Sequence, residues 1–168
     1  MTKSNYLAAM VLTSTVATLV PLTAGATSVE VTCEMQESVP TVIATFSARD
    51  VSQTTPILSF YSQYFDEGQG SQHCHSTASK LDTFYRQNRM NYLASDAVDG
   101  KPTVCAVERR GLSCDSHNSD VLFSVEQTTS PSELLYNMLG KDFKGSQLPS
   151  SRTVSRIYTD LRPLWWPF

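Results

Sequence analysis

The chain has 168 residues, 13 basic against 16 acidic side chains, a net charge of −3 and 40% apolar residues. That length suits one domain with a hydrophobic core of its own. Phosphate backbones need clustered cations, so a mildly acidic chain is not read as a general nucleic-acid binder.

The first segment, "MTKSNYLAAMVLTSTVATLVPLTAGATS", reads as an address. Lys3 is its one positive charge, an apolar stretch runs from Leu7 to Leu22, and Ala24-Gly25-Ala26 forms a small-x-small cleavage site. The run is too short, too rich in threonine and too interrupted by Pro21 for a transmembrane anchor of about 20 apolar residues. Residues 1–26 are therefore expected to be a cleaved signal peptide, residues 27–140 an exported domain, and residues 141–168 a C-terminal tail.

"VEVTCEM" (Val29 to Met35) alternates apolar and polar positions and predicts a strand, and β-branched "TVIATFSA" (Thr41 to Ala48) predicts a second. Glu37, Ser38 and Pro40 fall in the turn between them. Thr55-Pro56 has the form of a helix cap followed by a first-turn proline. Ile57, Phe60, Tyr61, Tyr64 and Phe65 follow at helical spacing, which predicts a helix that "DEGQG" ends. A further helix is expected from about Ser71 to Asn88. Cys74, Ala78, Leu81, Phe84 and Tyr85 would lie on its buried face, with Lys80, Asp82, Arg86 and Gln87 toward water.

"YLASDAV", Asp99-Gly100-Lys101-Pro102 and "TVCAVERR" form a hairpin pattern, because Asp-Gly supplies the positive φ that tight turns require. A polar loop from Gly111 to Asp120 carries Cys114. "DVLFSVE" predicts a last strand with Val121, Phe123 and Val125 inward. In "SPSE", Ser130 is a helix cap, Pro131 the first position and Glu133 the capping-box partner, and Gly140 is the expected stop. Clustered strands joined by hairpins predict an α+β fold. It would hold an antiparallel sheet of about four to five strands, two to three helices packed on one face and two disulfides.

Four cysteines, Cys33, Cys74, Cys105 and Cys114, remain after cleavage. An even count in an exported chain implies disulfides, and four thiols allow three pairings. Cys33 and Cys105 both read as inward-facing on strands, and Cys74 on a buried helix face suggests a bridge from helix to sheet. The competing metal reading rests on His73-Cys74-His75. Neighbours on a helix point about 100° apart, so the two histidines could not join Cys74 on one ion.

No G-x-S-x-G and no phosphate-cradling glycine loop occurs, and His73, His75 and His117 have no obvious orienting partner in sequence. No cofactor, catalytic residue or small-molecule ligand is identifiable. The remaining enzymatic reading is an exported carboxylate-dependent hydrolase of a polymer, using acids around the hairpin from Asp96 to Glu108.

The tail is more informative. Lys141, Lys144, Arg152, Arg156 and Arg162 stand against only Asp142 and Asp160, and the chain closes on "LRPLWWPF" with both of its tryptophans. Tryptophan favours membrane–water interfaces, and neighbouring cations are drawn to anionic lipid. Eight residues cannot span a bilayer. The tail could also fold back on its own domain, or serve a partner protein as a Trp–Arg hot spot.

The centre of the chain resembles the cyanobacterial circadian oscillating polypeptide domain family. The resemblance rests on Cys33, "PTVIATFSA", "PILSFYSQYF", Cys74 and above all "STASKLDTFYRQNRMNYLASDAVDGKPTVCAV" ending past Cys105, with Cys114 and "LFSV" continuing it. It extends from about Val31 to Leu139. His73, His75 and the Trp-Trp tail depart from the pattern. The resemblance implies export in a cyanobacterium, to periplasm, thylakoid lumen or outside, and peripheral association with membranes, and it supplies no catalytic residue. The expected molecule is a disulfide-stabilised binding domain without enzymatic function. Arg162, Trp165, Trp166, Phe168 and nearby arginines would contact a membrane surface or a membrane-associated protein.

Overall fold

The computed structural model describes residues 27–48, 51–89, 91–144 and 156–163. They form two antiparallel sheets and two α-helices. The first sheet has the order β1 (Ser28–Gln36), β2 (Val39–Ala48), β3 (Val51–Ser59). After α1 (Gln69–Gln87) come β4 (Tyr92–Val98), β5 (Lys101–Val107) and β6 (Ser119–Ser124). Then follow α2 (Pro131–Met138), a 3-10 turn (Lys141–Phe143) and β7 (Tyr158–Asp160). The second sheet has the order β6-β5-β4-β7. The α+β architecture and two disulfides are as the sequence predicts, with seven strands divided three and four.

The hairpins form where local chemistry demands them. Asp99 and Gly100 (φ 51° and 76°) close β4 onto β5, and Glu37 and Ser38 (φ 48° and 69°) close β1 onto β2. At α2, the Ser130 hydroxyl accepts the Glu133 N–H at 3.1 Å with Pro131 in the first turn, as "SPSE" indicates.

The segment from Thr55 corrects one expectation. No helix starts there; Val51–Ser59 is the edge strand of the first sheet. An edge tolerates proline, because Pro56 has no ladder hydrogen bond to give on its outer side. A register shift at Val42/Ile43 turns both Ile57 and Leu58 into the core, which a regular strand would not do. The helix-like spacing of Phe60 and Phe65 instead serves a turn whose rings meet at 5.4 Å.

α2 ends at Met138, and Gly140 lies beyond it, where its N–H donates to the Ile57 carbonyl at 2.9 Å. A Cβ on Gly140 would lie 1.9 Å from the Pro56 carbonyl oxygen, so only glycine allows that approach. A bulge in β6 corrects another expectation. Leu122 and Phe123 are buried while Val121 turns outward, since Val104 pairs with Phe123 and Cys105 with Val121. Val125 is buried, as expected.

The main core gathers Val42, Phe46, Leu58, Phe60, Leu81, Leu93, Phe123, Leu134 and Met138 between the sheets and helices. α1 lies across β1 and β2 and reaches β6, while α2 lies against β4 and β5. A second, small core of Ala94, Cys105, Val107 and Cys114 lies apart from it, with Tyr92, Leu112 and Tyr158 packed on it. Alternation along β4 and β5 sends successive side chains to these two clusters in turn. Cys105 therefore faces inward, but into the small core.

Candidate interaction surface

The four cysteines pair as Cys33–Cys74 and Cys105–Cys114, each with Cα atoms 5.6 Å apart. The first joins β1 to α1, the helix-to-sheet bridge that Cys74 suggests. The second ties the loop after β5 back onto its own strand, over the small core. Two such bridges fit an oxidising, exported compartment. Among the described residues no helix is long and apolar enough to cross a membrane.

Charge on the molecule is ordered by the fold more than by the sequence. α1 ends at Asn88 in a left-handed conformation (φ 50°), and the Arg89 N–H returns to the Phe84 carbonyl. Asn91 then joins two neighbours. Its N–H donates to the Val107 carbonyl at 3.1 Å, and its own carbonyl accepts the Leu161 N–H at 2.9 Å. This one knot places the end of α1, the start of β4, the end of β5 and the end of β7 at the same end of the protein. Arg86, Arg89, Arg109, Arg110 and Arg162 all belong to those ends.

Most of these guanidinium groups meet solvent. Arg89, Arg109 and Arg110 are exposed, and the Arg86 side chain is 71% accessible although it pairs with Asp82 at 2.8 Å. Arg110 lies over the Tyr92 ring at 5.2 Å. Arg162 keeps its Nε 3.5 Å from Asp160, whose carboxylate also accepts the Arg162 N–H. Asp82 corrects an expectation here. It does not simply face water, because it accepts the Val31 N–H at 3.2 Å and so occupies the open edge of β1.

The start of the closing aromatic segment is fixed to this end. β7 pairs with β4 through Tyr92–Asp160, Leu93–Thr159 and Ala94–Tyr158, and Leu161 is 1% exposed within the main core. The Tyr85 hydroxyl donates to the Leu161 carbonyl. Burial pushes the Tyr85 phenol far above its ordinary range, reinforced by Asp160 and opposed by Arg162. Trp165, Trp166 and Phe168 lie outside the described residues.

Arg152 lies outside the described residues, and the described cations Lys141, Lys144 and Arg156 have surroundings of their own. Lys141 sits on the 3-10 turn beside β3, and Lys144 lies over the Tyr136 ring at 5.0 Å. Arg156 pairs at 2.9 Å with Asp96, which is 7% exposed, and that hydrogen bond holds the guanidinium above its ordinary range. Asp96 also accepts the Ala97 N–H. Asp99 is in the turn, Glu108 is exposed and Glu126 pairs with Lys101. His73 packs against Phe65 and Phe123, and burial lowers its pKa, while His75 and His117 are exposed. No cluster of His, Cys, Asp and Glu able to hold a metal occurs among the described residues.

The arginines of this end are separated by up to 76 positions, so no window of sequence reveals them together. Only the β4–β5 hairpin, which places Arg109 and Arg110 back beside Asn91, hinted at the grouping. Residues 31–165 match the model of the family described as Circadian oscillating protein COP23. No curated protein and no solved structure matches.

Proposed function

We infer that this chain, which belongs to the circadian oscillating protein COP23 family, is an exported, non-catalytic docking domain that rests peripherally on an anionic membrane surface. Residues 1–26 act as its signal peptide, and the contact consists of the arginine end together with Trp165, Trp166 and Phe168. The observation that carries this reading is the position of Arg86, Arg89, Arg109, Arg110 and Arg162 around the point where Leu161 commits the chain toward its aromatic close. Juxtaposed basic groups gain about 1 kcal/mol each near a negatively charged leaflet, and interfacial tryptophans add apolar area that salt does not screen. That β7 and the buried Leu161 hold the chain at this end four residues before Trp165 supports a joint contact.

Sedimentation with phosphatidylglycerol vesicles tests the reading. The oxidised chain is expected to pellet with them, and removal of residues 164–168 should release it without lowering the melting temperature, since Leu161 is retained. Arg109→Glu with Arg110→Glu should release it too. Equal pelleting by all three chains would contradict the proposal.

A further inference from the structure

An open cleft of about 540 Å³ lies at the β1–β2 hairpin, far from the arginine end, lined by Gln36, Glu37, Val39, Thr41, Ser59 and Tyr61. Its position follows from α1, whose first turns sit by Cys33 and whose last turns sit by Phe46. The hairpin turn is therefore at the opposite end of the first sheet from Tyr85 and Leu161. The volume falls in the range of small-molecule sites.

Two features of the cleft point to one kind of ligand. First, its polar groups are an amide, a carboxylate and three hydroxyls, with no cation, which suits neither a phosphate nor a carboxylate ligand. Second, Tyr61 stays 38% exposed, beside polar groups and not inside an apolar pocket. An aromatic face next to amide and hydroxyl groups matches the two surfaces of a pyranose, whose C–H face is apolar and whose rim is a ring of hydroxyls. Within the cleft the Thr41 hydroxyl donates to Ser59 at 3.3 Å, which fixes the Ser59 side chain.

The lip of the cleft is also held in an unusual form. Glu37 and Ser38 both have positive φ, where two-residue hairpins ordinarily use Asn-Gly. Two side chains are thus kept at backbone positions that favour glycine, and Glu37 itself lines the cleft.

We propose that this cleft binds a neutral saccharide chain, with one pyranose stacked on Tyr61 and its hydroxyls held by Gln36, Glu37 and Ser59. The site is independent of the arginine end, so the protein has a glycan-reading end opposite its docking end.

The test is amide chemical-shift mapping of the oxidised chain titrated with maltohexaose, cellohexaose and chitohexaose at millimolar concentration. At least one of them should shift the amides of residues 36–39, 41 and 59–61 and leave Asn91 and Leu161 unmoved. Tyr61→Ala should weaken that binding about tenfold or more, whereas Tyr61→Phe keeps it within about threefold. Gln36→Ala, on an exposed side chain, supplies a second variant that leaves the fold alone. Failure of all three sugars to shift these amides, or equal affinity in Tyr61→Ala, would overturn the proposal. So would a hexaarginine peptide shifting them where the sugars do not. None of these outcomes bears on vesicle binding.

Discussion

The hydroxyl of Tyr85, in the last turns of α1, donates to the main-chain carbonyl of Leu161 just beyond β7. The two residues are 76 positions apart, and the bond ties the final strand to the main core from the side that β4 does not cover. Tyr85 also meets Phe46 edge-on at 5.7 Å, so its ring is fixed before its hydroxyl is used.

Tyr85→Phe keeps that ring and leaves the Leu161 carbonyl without this donor. A buried acceptor deprived of its partner costs about 1–3 kcal/mol. The expected result is a lower melting temperature together with faster hydrogen exchange at Thr159 and Leu161, while Val42 and Leu81 keep their protection.

The two disulfides should differ in weight. Cys33–Cys74 closes a separation of 41 residues and Cys105–Cys114 one of 9. Chain entropy assigns them about 4 and about 3 kcal/mol. Urea denaturation of Cys33→Ala/Cys74→Ala should therefore show the larger loss, by about 1 kcal/mol.

Gly140→Ala is expected to be costly although the residue is neither strained nor in a helix. Its φ of −65° suits any residue, yet the new Cβ would meet the Pro56 carbonyl oxygen. Overpacking of this kind costs about 1–3 kcal/mol. Thermal unfolding measures it, and exchange at Ile57 and Leu58 should rise with it.

His73 gives stability a pH dependence. Its pKa is lowered from 6.5 by burial, so the unfolded chain binds the proton more readily than the folded one. Its contribution is complete above the unfolded pKa and is lost as pH falls through the folded pKa. Melting temperature should drop on acidification through that range, and His73→Leu should flatten the drop.

Much of the fold was legible because its signals are local. The Asp99-Gly100 turn, the Ser130 cap and the apolar stripe of α1 each depend on residues a few positions apart. The segment from Thr55 was not legible, since its Thr-Pro pair mimics a helix start and only the edge position of β3 lets Pro56 sit in a strand. β7 has three residues and no alternation to read, and its partner is over sixty positions away. The cysteines could be named as bonded but not paired, because Cys105 faces a second core that no periodicity announces. Arg162 was singled out from the aromatic ending, whereas Arg86, Arg89, Arg109 and Arg110 became part of the same surface only through the knot at Asn91.

Both tryptophans of the chain are Trp165 and Trp166, so its tryptophan fluorescence reports on the tail alone. The direct measurement is the emission maximum of the oxidised chain as vesicles are added. Docking by the arginine end predicts solvent-exposed emission in the free protein and a blue shift with phosphatidylglycerol vesicles. It also predicts little change with phosphatidylcholine and a weaker shift at high salt. Emission already blue in the free protein, and unaltered by anionic vesicles, would place the tail on its own domain and contradict the account.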